Sequence, residues 1–166
     1  FWADPEARAA SGDLHALVIG INAYAAQGGE LQDLQGAVND ALDIASALVE
    51  TDAASVRVLL DEDAHRDAIF AAWHAMKADA RPGDTLLVTF AGHGAQEPER
   101  IPGLERDGLD EVMVLGGFRS SAPHNYQRII DHEWRELVAA ASDYQVVLVM
   151  DACHSGSLNR SLARGR

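Results

Sequence analysis

The 166-residue chain carries 26 acidic against 13 basic side chains, a formal net charge of −13, with 48% apolar residues and one cysteine. That charge argues against nucleic acid or an anionic membrane as partner, since both select basic surfaces. It suits cationic partners or substrates, and equally a merely solvated acidic surface. One cysteine excludes an internal disulfide and any cysteine-rich metal site. The length is that of one domain, burying roughly two-thirds of the surface its unfolded chain exposes. No run of about 18 apolar residues and no secretory leader pattern is found, so a cytoplasmic location is the default expectation.

In chain order, residues 1–12 are polar, Ala-rich and aperiodic, a loose lead-in. His15 to Ile21 is a compact apolar run, the first strand, and Ala23 to Gln35, with Gly28-Gly29, reads as loop. Val38, Ala41, Leu42, Ala45, Leu48 and Val49 paint one face of a helix that begins near Gln35 or Asn39. Ser55 to Leu60 is a second strand, and Asp63 to Met76 a helix turning Ile69, Trp73 and Met76 inward. Pro82-Gly83-Asp84 is a turn before the third strand, Thr85 to Phe90. Gln96 to Gly108, charged and broken by prolines and glycines, predicts an exposed loop. Val112 to Leu115 and Arg128 to Ile130 predict a small hairpin, Asp131 to Ala141 a helix with Trp134, Leu137 and Val138 inward, and Gln145 to Met150 the fourth main strand. Apolar strands alternating with helices predict a mainly parallel sheet covered on both faces, with ligands bound beyond the carboxyl ends of its strands.

Two residues at such ends carry the chemistry. Cys153 follows Val-Val-Leu-Val-Met-Asp-Ala, and His93 stands in Ala-Gly-His-Gly after the third strand. A thiolate nucleophile needs a neighbouring imidazole that lowers its pKa and carries its proton, so the two together predict a cysteine hydrolase. A lone cysteine is otherwise a small buried hydrophobe. Gly92 and Gly94 either let a substrate backbone approach, with the Gly94 and Cys153 amides facing an oxyanion, or simply turn the chain. Asp151 either orients His93 or, with Asp40, forms an anionic pocket for a guanidinium or ammonium group. Asp40 alone is also a favourable charge at a helix start. His15, His65, His74 and His124 make no metal-ligand set, and no Gly-rich phosphate loop follows the first strand.

Leu17-Val-Ile-Gly-Ile-Asn, Asn39-Asp40-Ala41, Phe90-Ala-Gly-His-Gly, Asp107-Gly-Leu-Asp-Glu-Val and Asp151-Ala-Cys-His-Ser-Gly occur in that order. The series resembles the large-subunit (p20) region of caspase-like cysteine peptidases of the metacaspase and orthocaspase type, from about His15 to Leu158. The resemblance implies a caspase-like three-layer α/β sandwich over residues 13–158, completed by a separate small-subunit (p10) segment. It implies a His93–Cys153 dyad, an oxyanion hole from the Gly94 and Cys153 amides, and Asp40 and Asp151 in a pocket for Arg or Lys before the scissile bond. True caspases cut after aspartate; Asp151 in this pocket opposes that. Asp110 and Asp131 match two positions of the family's calcium site, but His132 and Arg160 stand where acids are expected, so no metal and no cofactor is predicted. Residues 159–166, with Arg160, Arg164 and Arg166, read as an inter-subunit linker remnant cleaved at Arg166 when a zymogen matures. A non-catalytic caspase-like scaffold in a signalling or defence assembly is the alternative.

Overall fold

A computed structural model describes residues 12–123 and 125–154. Strands β1 (Leu14–Gly20), β2 (Ser55–Leu60), β3 (Thr85–Pro98) and β6 (Gln145–His154) run parallel, in the spatial order β2-β1-β3-β6. β1, flanked on both sides, is the strand whose Ala16 to Ile19 are wholly buried, as a two-sided parallel strand requires. The hairpin of β4 (Leu109–Val114) and β5 (Arg128–Ile130) then joins the distal part of β3 in antiparallel sense. The sheet is therefore mixed. The six strands form it among themselves, and the expected small-subunit segment has no counterpart among the described residues.

Helices cover both faces, as expected. α1 (Ala37–Glu50) presents Ala37, Ala41 and Ala45 to the sheet. Its small face packs low on Ala16 and Val18. A Cβ on Gly20 would stand 2.6 Å from the Ala37 carbonyl oxygen and from the Ala41 methyl, so glycine is what lets the helix start so close to the end of β1. The N-cap is Gly36, which offers no side chain; Asn22 Oδ1 instead accepts the Val38 N–H at 3.4 Å. On the opposite face lie α2 (Arg66–Asp79) and α3 (Asp131–Ala139). Their Ile69, Trp73, Met76 and Trp134 are packed with Leu17, Ile19, Leu86, Val88 and Phe90. Trp73 and Trp134 meet edge to face, with centroids 6.0 Å apart, a geometry the ring quadrupoles favour.

Three expectations need correction. β3 does not end at Phe90 but continues to Pro98, so Gln96 to Pro98 are strand, not exposed loop. Gly92 and Gly94 were candidate turn residues, yet neither has a positive φ; the chain stays extended because β4 and β6 offer it new pairing partners. Likewise β6 runs four residues past Met150. His93 and Cys153 thus sit inside extended strands rather than beyond them.

Candidate active site

β1 pairs with β3 up to Gly20 opposite Ala91, and the last rung on that edge is Ile21 N–H to the Ala91 carbonyl at 3.0 Å. Two residues further on, His93 and Cys153 are direct partners in the parallel β3–β6 register. Adjacent strands lie about 4.8 Å apart, so the backbone brings the imidazole-bearing and thiol-bearing residues side by side at the carboxyl end of the parallel sheet.

His93 is partly exposed and gripped by the β1–α1 loop. Its Nε2 lies 2.9 Å from the Gln32 carbonyl oxygen. A carbonyl only accepts, so this contact assigns the neutral ring's proton to Nε2 and leaves Nδ1 with a free lone pair. The Tyr24 ring packs against the imidazole, with centroids 4.6 Å apart and planes at 60°. Tyr24 Oη accepts the His93 backbone N–H at 2.8 Å and donates to the Val114 carbonyl at 3.2 Å. Burial pushes the phenol well above its ordinary pKa, against the smaller opposing effect of the His93 N–H, so it stays protonated and can do both. A Cβ on Gly92 would lie 2.5 Å from this hydroxyl. That close approach, rather than a turn, requires glycine there.

Two carboxylates hold the loop in shape. Asp33 Oδ1 accepts the N–H groups of Tyr24, Ala25 and Ala26 at 2.7, 2.8 and 3.3 Å, and these bonds, Tyr24's foremost, lower its pKa. Asp61, just after β2, accepts those of Asn22 and Ala23 at 2.7 and 2.8 Å. Sequence reading missed Tyr24, Gln32, Asp33 and Asp61. The one available signal is a tyrosine three residues past the apolar run His15 to Ile21, within the Ala23 to Gln35 loop.

Asp40 occupies the first turn of α1, and Asp151 is the register partner of Ala91, which is itself opposite Gly20. Both acids are exposed, and among the described residues neither carboxylate makes a hydrogen bond or ion pair. In particular, Asp151 does not orient His93. Gly20, Ala91 and Asp151 form one row on the face that α1 covers. The backbone of Asp151 is therefore two strand spacings, about 10 Å, from Gly20, over which α1 begins. The structure brings the two acids to one face and one edge without contact between them. Gly94 is where β3 is paired on both sides, with Met113 and with His154. Arg166 lies outside the described residues.

Comparisons with known proteins place the chain in a family. The family model for the metacaspase, peptidase C14 domain matches residues 15–160. This chain belongs to the metacaspase family. Metacaspase-1 of Pyricularia oryzae is 33% identical over 159 residues, covering 89% of this chain and 37% of that protein. Metacaspase-1 of Coccidioides immitis is 31% identical over 158 residues, covering 89% of this chain and 32% of that protein. The chain thus spans about a third of the length of these curated relatives. The crystal structure of protein GSU0716 from Geobacter sulfurreducens superposes with a TM-score of 0.67 at 27% identity, covering 93% of this chain and 56% of that one.

The calcium positions implied by the metacaspase resemblance can be tested on the residues present. Asp110, Asp131 and His132 bring ligand atoms within 4.8 Å of one another. Asp110 is 1% exposed, and its Oδ1 has no partner among the described residues. Arg135, however, holds Asp131 Oδ2 at 3.0 Å. Calcium takes six to eight oxygens, whereas this cluster offers two carboxylates, one already claimed by a guanidinium, and an imidazole. Among the described residues the donor set falls short of the six to eight oxygens calcium takes. The cluster borders an apolar cavity of about 420 Å³ lined by Phe90, Met150 and Trp134, on the face of the sheet away from α1 and the Asp40–Asp151 edge.

Proposed function

We propose that the chain is the large-subunit part of a metacaspase that cleaves proteins after arginine, and less readily after lysine. The carrying observation is the register pairing of His93 with Cys153, together with the Gln32 carbonyl that holds the Nε2 proton. In this reading His93 Nδ1 takes the thiol proton, and the thiolate attacks the scissile carbonyl. The oxyanion is assigned, by family likeness, to the Gly94 and Cys153 amides. His93 then returns the proton to the leaving amine, the C–N bond breaks, and water hydrolyses the thioester with His93 as base. Asp40 and Asp151 bind the substrate guanidinium. Their exposure and freedom from internal partners support this, since a carboxylate already committed to the fold could not serve. Each charge-assisted bond contributes about 1.5–3 kcal/mol.

A small-subunit segment of the same precursor is the proposed partner. The short span relative to the curated relatives supports it, as do the exposed Val147 and Val149 of β6. Maturation of a zymogen by cleavage at Arg166, activity without calcium, and a cytoplasmic setting complete the proposal.

The test is hydrolysis of peptides ending in arginine, lysine or aspartate by the full-length protein, with and without a calcium chelator. Cys153→Ala is expected to abolish cleavage, and Asp40→Ala to lower kcat/KM for the arginyl peptide on the order of 10- to 100-fold. Activity surviving Cys153→Ala overturns the nucleophile, and unchanged arginyl cleavage in Asp40→Ala overturns the pocket. Inactivity of the unaltered protein toward all three peptides favours the scaffold reading.

A further inference from the structure

The β3 edge facing β1 changes partner at His93, and a phenol stands in the gap. The last β1 rung is at Ala91. The antiparallel β3–β4 register begins with Gly94 opposite Met113, so its next pair is His93 opposite Val114. In an uninterrupted ladder the His93 N–H and the Val114 carbonyl would meet directly. Instead Tyr24 Oη lies between them, accepting from one at 2.8 Å and donating to the other at 3.2 Å. The hydroxyl thus takes the place of that bond. Tyr24 is wholly buried, and Gly92 leaves the space its oxygen needs.

We infer that Tyr24 is a positioning residue for His93, its hydroxyl acting as a substitute rung that keeps β3 and β4 splayed and aims the imidazole. The inference rests on the protease reading above for its kinetic consequence. Without the hydroxyl, two buried backbone groups lose their partners. They recover only if the strands close and the direct bond forms, which moves His93 relative to Gln32 and Cys153. The ring contact with the imidazole survives in phenylalanine, so Tyr24→Phe isolates the rung.

The experiment is steady-state hydrolysis of an arginyl peptide by full-length Tyr24→Phe, with ¹⁵N NMR of the His93 ring. Expected are a fall in kcat of about tenfold to a hundredfold, KM within about twofold, and altered His93 ring shifts. Unaltered kcat and an unaltered His93 ring in the folded variant overturn the inference. If the unaltered protein shows no Cys153-dependent hydrolysis, the protease reading fails by itself. The ring signals then decide the positioning role: shifted signals support it and unmoved ones overturn it. Should Tyr24→Phe not fold, 3-fluorotyrosine at position 24 keeps ring and hydroxyl while weakening the oxygen as acceptor. An upfield move of the His93 amide proton is then expected, and an unmoved one overturns the inference.

Discussion

The two faces of the sheet are built from different stock. Under α2 and α3, Leu17, Ile19, Leu86, Val88 and Phe90 meet Ile69, Trp73, Met76 and Trp134, none more than 3% exposed. Under α1 the contacts are Ala16 and Val18 against Ala41 and Ala45. Beyond β3 that face is open, with Val147 at 45% and Val149 at 46% exposure. The thick face supplies the apolar burial that stabilises the domain, on the order of 1.5–3 kcal/mol for each large side chain. The thin face supplies proximity. Small residues let the first turn of α1 come down over Gly20 and bring Asp40 to the edge that also carries Asp151. The side that gives up packing is the side that carries His93, Cys153 and Asp151.

The acids divide the same way. Asp33 and Asp61 spend their oxygens on the backbone of the β1–α1 loop, whereas Asp40 and Asp151 keep theirs. The first pair shapes the wall against which His93 rests, and the second stays exposed, without an internal partner among the described residues.

The contrast between the faces can be broken by substitution. Trp73→Ala empties the thick face and is expected to cost about 3–5 kcal/mol, read as a fall in the urea midpoint; a loss under about 1 kcal/mol would mean that face does not hold the fold. Gly20→Ala drives a methyl into the start of α1, with an expected cost of about 1–3 kcal/mol. Because α1 must lift, the same variant should weaken arginyl cleavage more than lost stability alone explains, visible as a raised KM at a temperature where it is fully folded. Val149→Thr, on the uncovered part of the thin face, should change the stability of this chain by less than about 0.5 kcal/mol. A larger drop in thermal unfolding would show that Val149 is covered.

Much of this was legible in the chain. The apolar runs of β1, β2 and β6, the periodicities of α1 and α2, and the β4–β5 hairpin mark real elements, because each pattern is a local record of which side chains are buried. Their bounds differ, however: β6 runs on to His154, α2 begins at Arg66 rather than Asp63, and β4 begins at Leu109 rather than Val112. His93 and Cys153 could be singled out because strand-end placement is also local. The extension of β3 was not legible. Its last residues are polar and look solvated, yet Glu97 is 5% exposed and ion-paired with Arg128. Arg128 in turn lies over the Phe118 ring at 4.5 Å and donates to the Arg119 carbonyl at 2.8 Å. A charge looks exposed in sequence when its partner is thirty-one positions away. The Gln32 contact was hidden for another reason: the group that orients His93 is a backbone carbonyl, which every residue carries.

By itself the sequence determined the elements, the motif pair and the family, since each depends on residue type at short spacing. Tertiary structure alone decided that β3 would run on through His93, that Tyr24 would stand in for a missing rung between β3 and β4, and that Asp151 would leave His93 to the β1–α1 loop. Those outcomes depend on which strand edge is vacated and what reaches it. Strand edges are filled by groups sixty to ninety residues distant, as the separations of Gln32 from His93 and of Tyr24 from Val114 record.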